Sequence, residues 1–254
     1  MTAKDTLAQW YTSDTPLVFG HRGALADAPM NTLPAFELAY EQGAAGVELD
    51  VHFSADNELV IVHDFTVDKT TDSEGKVSDM SLAQLKELDA GSWFSDAFTG
   101  TRIPTLSEVF EAVGQKLYIN VEIKHLDLEP NGLEEAVLAC IQEHNLTERV
   151  IVSSFNPHVL VRFQKIAPQI PLGYLLYAGS VLPNIDDILP PTHHQAIHYH
   201  HEMIDADAVA KAQKHQHRIN TWTVNDPDRA RELAKMGVDA IITDNPALMK
   251  ATFA

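Results

Sequence analysis

Glu48 and Asp50 stand two residues apart in the apolar run Gly46-Val-Glu-Leu-Asp50. On a strand that spacing turns both carboxylates to one face, where they repel each other unless a cation lies between them. The run reverses through Ser54-Ala-Asp-Asn57 and returns as Leu59-Val-Ile-Val62 to His63. A tight antiparallel hairpin predicts His63 roughly opposite Glu48. Glu122 and Lys124 repeat the two-residue spacing in Val121-Glu-Ile-Lys124, and an earlier run, Leu17 to Gly20, ends on His21-Arg22. Later apolar runs end on Ser153-Ser-Phe155, on Trp222 and Asn225, and on Thr243-Asp244.

Three acids, two histidines, one arginine and one lysine at strand ends suit the cleavage of a phosphodiester. Glu48, Asp50 and Glu122 offer only oxygen ligands, which favours one divalent cation of the Mg²⁺ or Ca²⁺ kind, with Mn²⁺ also suited, over Zn²⁺. Such a cation neutralises a phosphate oxygen. Arg22 and Lys124 would share the remaining charge, one as a fork and one as a point charge. His21 and His63 titrate near neutrality, so one can take a proton from the nucleophile while the other protonates the leaving alkoxide. Trp222 fits core packing as well as a substrate-binding wall.

Positioning these groups calls for a regular scaffold. Strand patterns at 17–20, 46–51, 116–124, 150–153, 171–176, 196–199, 218–224 and 238–243 alternate with helical ones at 33–40, 106–113, 132–145, 157–166, 205–214 and 226–235. Repeated strand-then-helix units predict a parallel sheet. A length of 254 residues matches a (β/α)8 TIM barrel of about 250 residues, with chemistry at the carboxyl ends of its strands. Eight or nine strands are expected, depending on whether Leu59 to Val62 joins the barrel. From Phe65 to about Gly100 the alternation stops, and only Ser81 to Leu88 reads as helical, which predicts an insertion over one end of the fold. The whole chain, 1–254, reads as one domain with this insertion at about 65–103.

A formal net charge of −18 argues against nucleic acid and anionic membranes as partners. A small-molecule substrate is expected. No apolar stretch approaches the roughly 20 residues of a membrane span, and the first residues lack the apolar centre of a secretory signal, so neither anchor nor export is expected. The lone Cys140 sits in a helical pattern and reads as a core residue. Together these features point to a reduced, cytoplasmic location. His193, His194, His198, His200 and His201, with His215 and His217, have irregular spacing and read as surface or rim residues. If 196–200 is a strand, His198 and His200 share a face and could line the substrate mouth.

The chain resembles the glycerophosphodiester phosphodiesterases. The resemblance is carried in order by Gly20-His-Arg-Gly23, Asn31-Thr-Leu33, Val47-Glu-Leu-Asp-Val51, Val62-His-Asp64, Ile103-Pro-Thr-Leu106, Val121-Glu-Ile-Lys124, Ser153-Ser-Phe155, Thr221-Trp-Thr-Val-Asn225 and Gly237 to Asp244. It implies a phospholipase-C-like phosphodiesterase TIM barrel and hydrolysis of deacylated phospholipids to sn-glycerol 3-phosphate and an alcohol. It implies Glu48, Asp50 and Glu122 as metal ligands, and His21 and His63 as the acid/base pair. It assigns Arg22 and Lys124 to the phosphate, and Trp222 to an apolar wall. One position departs: Met30 stands where the family usually has Glu, which removes a charge near the cation. Two other readings remain. A lysophospholipase D-type enzyme would need an apolar groove near the insertion, where Trp93, Phe94 and Phe98 lie. A non-catalytic barrel that binds glycerophosphodiesters has only Met30 in its favour.

Overall fold

The computed structural model describes residues 2–177 and 194–254. His193 lies outside them. Among the described residues there are nine strands: β1 (Leu17–His21), β2 (Gly46–Phe53), β3 (Leu59–Ile61), β4 (Tyr118–Ile123), β5 (Val150–Ser154), β6 (Leu172–Leu176), β7 (Ala196–His200), β8 (Arg218–Trp222) and β9 (Ala240–Thr243). All but β3 are parallel neighbours in the order β1-β2-β4-β5-β6-β7-β8-β9, and β9 pairs with β1. This is a closed eight-stranded parallel barrel. β3 pairs antiparallel with β2 outside the ring.

Helices on the described residues are α1 (Ala3–Trp10), α2 (Leu33–Glu41), α3 (Leu82–Glu87), α4 (Leu106–Val113), α5 (Leu133–Glu143), α6 (Pro157–Ile166), α7 (Ala206–Lys214), α8 (Pro227–Met236) and α9 (Pro246–Thr252). Their starts carry the expected caps. Ser81 and Gln84 form a capping box on α3, and Asp226 accepts from the Asp228 amide ahead of Pro227. Thr32 precedes α2 but does not cap it with its side chain; its hydroxyl donates to the Pro29 carbonyl at 2.6 Å.

β2 explains why the ring holds. Val47, Leu49 and Val51 alternate with Glu48 and Asp50, and all five are buried. The apolar set packs in the same cluster as Phe36 of α2 and Phe110 of α4. A barrel strand is covered on both faces, so the inward acids are enclosed as well. Two helices went unread in the sequence. α1 buries Leu7 and Trp10 in a cluster with Phe19, Ile151 and Ile242, and Trp10 stacks on Tyr118 at 4.2 Å between centroids. α9 packs Met249 with Val18 and Ile241.

Residues 65–103 hold no barrel strand. Their core is a separate cluster of Val67, Val77, Leu85, Ala90 and Ile103, which packs with Val60 and Val62. It anchors the chain that follows β3, including His63.

The barrel interior corrects the histidine reading. His194 and His198 are buried, not surface residues. His198 Nε2 faces the Asn220 amide nitrogen at 2.9 Å, and Asn220 Oδ1 accepts from the Tyr11 hydroxyl at 2.9 Å. Burial pushes His198 down to about 3, so it stays neutral. His200 is half-buried and meets Trp222 edge-on. Cys140 is buried as expected, and burial pushes its thiol up to about 12.

Candidate active site

Register brings the site together. β1 aligns His21 with Glu48 on β2, and β2 aligns Glu48 with Asn120 and Asp50 with Glu122 on β4. Adjacent parallel partners share a face, so Glu48, Asp50 and Glu122 converge in the barrel mouth. Ligand oxygens of the three lie within 4.8 Å of one another. Lys124 follows the end of β4, with its Nζ 2.9 Å from Glu122 Oε1 and 3.4 Å from Asp50 Oδ1. Arg22 follows β1 in a left-handed turn at φ 55°, and Gly23 continues it at φ 91°. A side chain at Gly23 would strike Ala35 at 2.6 Å, so the turn is pinned against the start of α2. The turn aims the Arg22 amide at Glu48 Oε2 (3.1 Å) and its Nε at Asp50 Oδ2 (3.3 Å).

Each histidine has a carboxylate on Nδ1. His21 meets Asp244 Oδ1 at 2.7 Å, and His63 meets Asp64 Oδ1 at 2.6 Å. A carboxylate only accepts, so each Nδ1 carries the donated proton and Nε2 is left for exchange. Asp244 is itself fixed by Asn225 Nδ2 at 2.6 Å. His52 Nε2 donates to the His63 carbonyl at 3.2 Å and holds the loop from below.

His63 shares the cavity with Glu48, although the hairpin register differs by one residue from the expected one. Val51 pairs with Ile61 and Phe53 with Leu59, a register that runs on to place His63 level with Leu49 instead of Glu48. The hairpin turns in three residues, not four, because Asn57 takes the left-handed conformation at φ 61° and the Ser54 amide bonds the Glu58 carbonyl. His63 nevertheless reaches the site, because the chain leaves the ladder before it.

Charge in the site is unbalanced. Burial pushes the Glu48 carboxyl well above its ordinary range, and Asp50 and Glu122 push it further. Burial raises Glu122 to about 7 against the pull of Lys124. Burial acts on Asp50 too, but Lys124, Arg22, His63 and the Asn31 amide outweigh it and hold that carboxyl at about 2. Burial lowers His63, aided by Lys124 and Arg22 and opposed by Asp50 and Asp64. Three buried carboxylates thus face two fixed cations. Asp50 Oδ1 accepts no hydrogen bond, although Lys124 lies near. An all-oxygen set of buried carboxylates that outnumber the adjacent cations fits a hard divalent cation.

A cavity of about 160 Å³ opens on the site. His21, Arg22, Glu48, His63, Asn120 and Glu122 form its polar side; Phe155, Leu175, Trp222 and Ile242 form the apolar side. Trp222 is therefore a wall. Its indole donates to the His198 carbonyl at 2.9 Å and its ring packs edge-on against Phe155. Trp93, Phe94 and Phe98 pack on one another, and none of them lines this cavity. The Met30 sulfur lies 3.4 Å from Arg22 Nη1.

Residues 21–248 match the model of the Glycerophosphoryl diester phosphodiesterase family. The chain belongs to this family. A glycerophosphodiester phosphodiesterase from Caldanaerobacter subterraneus subsp. tengcongensis is 42% identical over 91% of this chain and 94% of its own. A Bacillus subtilis glycerophosphodiester phosphodiesterase is 31% identical over 92% of this chain and 85% of its own. A phosphodiesterase from Oleispira antarctica, solved with the product sn-glycerol-3-phosphate, superposes with a TM-score of 0.85 at 33% identity, covering 94% of this chain and 97% of that one. The family's reaction, hydrolysis of glycerophosphodiesters, is the reaction of this chain.

All eight residues singled out in the sequence surround the site. Besides cavity-lining residues such as Asn120, four that hold these groups in place were not assigned to it. Asp64 adjoins His63 in sequence, a signal that was readable. Asp244 was noted as a strand end, but its pairing with His21 needs β9 to close on β1. Asn225 buttresses Asp244, and Asn31 donates to Asp50 Oδ2 at 2.9 Å.

Proposed function

We propose that this enzyme hydrolyses deacylated phospholipids, such as glycerophosphocholine and glycerophosphoethanolamine, to sn-glycerol 3-phosphate and an alcohol. The Glu48–Asp50–Glu122 triad, buried and in excess of its cationic partners, is the observation that carries this reading. These three residues would hold one Mg²⁺, Ca²⁺ or Mn²⁺, which when bound supplies positive charge to a non-bridging phosphate oxygen. The product named for the Oleispira antarctica structure supports the same substrate class.

Arg22 and Lys124 bind the phosphate and offset the charge that grows on it as the diester breaks. Burial lowers the affinity of His63 for a proton, which suits its Nε2 to take the nucleophile's proton. His21, oriented by Asp244, delivers a proton from Nε2 to the departing alkoxide. The nucleophile's oxygen forms a bond to phosphorus as the bond between phosphorus and the alcohol oxygen breaks. Trp222 and Phe155 exclude water from one side of the phosphate.

The intact triad and both histidines favour turnover over binding alone, and a cavity lining that does not include Trp93, Phe94 or Phe98 favours deacylated substrates over single-chain lipids. The same reading takes residues 1–254 as one barrel domain with its insertion at 65–103. A small-molecule partner fits the cavity. No helix among the described residues is long and apolar enough to cross a membrane. A lone, inert cysteine suits a reduced cytoplasmic setting.

The test is substitution of each histidine. His21→Ala and His63→Ala should each cut kcat about 10²- to 10⁴-fold, with cation affinity and melting temperature retained. A normal rate in either variant removes that histidine from the mechanism.

A further inference from the structure

We infer that Asn120 reads the glyceryl hydroxyls of the substrate and so sets the enzyme's preference for the glycerol end of the diester. The inference rests on the reaction proposed above. Asn120 lies on β4, level with Glu48 and two residues before Glu122 on the same inward face. It is 2% exposed and lines the floor of the cavity. Neither its Oδ1 nor its Nδ2 has a hydrogen-bond partner. A buried amide with both ends unpaired is uncommon and calls for an occupant.

The chemistry of the amide selects that occupant. A cation would use Oδ1 alone and leave two N–H groups unpaired. A phosphate oxygen would use Nδ2 alone. A hydroxyl both donates and accepts, so neighbouring hydroxyls on one carbon chain satisfy both ends at once. Leu175 and Ile242, which line the same cavity, offer such a group no competing side-chain partner. The phosphate is claimed by Arg22 and Lys124, which leaves the hydroxyls for Asn120.

The experiment compares two ligands of equal carbon count by calorimetry, with the activating cation at saturation: sn-glycerol 3-phosphate and propyl phosphate, which lacks the hydroxyls. The wild-type enzyme should bind sn-glycerol 3-phosphate at least about tenfold more tightly. Asn120→Leu should lose most of that preference while binding propyl phosphate within about twofold of the wild type. Asn120→Ala reads the same ratio if leucine disturbs folding. Equal wild-type affinity for the two ligands overturns the inference. So does an undiminished preference in the variants, which would mean that trapped water satisfies the amide. Turnover of glycerophosphocholine by the wild type is measured beside this, so that failure of the proposed reaction is distinguished from failure of the Asn120 assignment.

Discussion

The Asp244 carboxylate lies 2.7 Å from His21 Nδ1 across the seam where β9 closes on β1. The two residues are more than 220 positions apart in sequence, yet the register sets Thr243 beside Gly20 and so the next pair side by side. Asn225 grips the other oxygen of Asp244 and also accepts from its amide at 2.9 Å. His63 and Asp64 make the same contact locally, but Asp64 is steadied by the exposed Lys69. The two pairs therefore differ in rigidity.

That difference predicts unequal losses. Asp244→Asn should reduce kcat by up to about 10⁴-fold, as when the carboxylate that orients a catalytic histidine is neutralised. Asp64→Asn should cost less. Steady-state kinetics on glycerophosphocholine decides the order, and equal losses would mean that seam rigidity is irrelevant to catalysis.

Cation binding should release protons. Glu48 is raised well above its ordinary value and Glu122 to about 7, so the metal-free site holds protons near neutrality. A cation needs the ionised carboxylates, and its affinity should climb between pH 6 and 8. The linkage sign follows. Carboxyls that bind protons more tightly in the fold than in the unfolded chain stabilise it fully below the ordinary range near 4.5, and this support is lost as pH rises through about 7. Asp50 acts oppositely: its contribution is present above 3.8 and fades as pH falls through about 2. Added cation should thus raise the melting temperature more at pH 7.5 than at pH 5. Calorimetry in buffers of different ionisation enthalpy counts the protons; none released would remove the raised carboxyls from the account.

Met30→Glu should weaken substrate binding. Met30 faces Arg22 Nη1, so a carboxylate there would compete with the substrate's phosphate for the guanidinium. KM should rise at least about threefold with little change in the cation requirement. A tighter cation requirement with unchanged KM would instead place position 30 beside the metal.

Gly173→Ala should destabilise the fold. A methyl there would lie 2.3 Å from His198 Nε2, which is buried in the barrel and already engaged by Asn220. Overpacking of this kind costs about 1–3 kcal/mol. Denaturant unfolding measures it, and an unchanged midpoint would mean that the His198 ring can shift freely.

Much of this architecture was legible because each barrel unit writes its own pattern. β2 shows strict alternation, α6 and α8 begin with a cap followed by proline, and the polar residues at strand ends stand where chemistry is built. Of what escaped, three cases have clear physical reasons. α1 precedes the first strand and buries only one short face, so it lacks the context that marks the other helices. The position of His63 depended on one left-handed residue, Asn57, which shortened the hairpin by one. His198 looked like a polar surface residue because its partners, Asn220 and Tyr11, come from a neighbouring strand and from the chain that follows α1.

The most direct test is release of sn-glycerol 3-phosphate from glycerophosphocholine by the purified enzyme after chelation, and again with Mg²⁺, Ca²⁺ or Mn²⁺ restored. The buried triad predicts no release after chelation and recovery with at least one of these cations, and loss of that recovery at the same cation concentration in Glu122→Gln. Full activity in chelator, or a Glu122→Gln enzyme with an unaltered cation titration, would contradict the account.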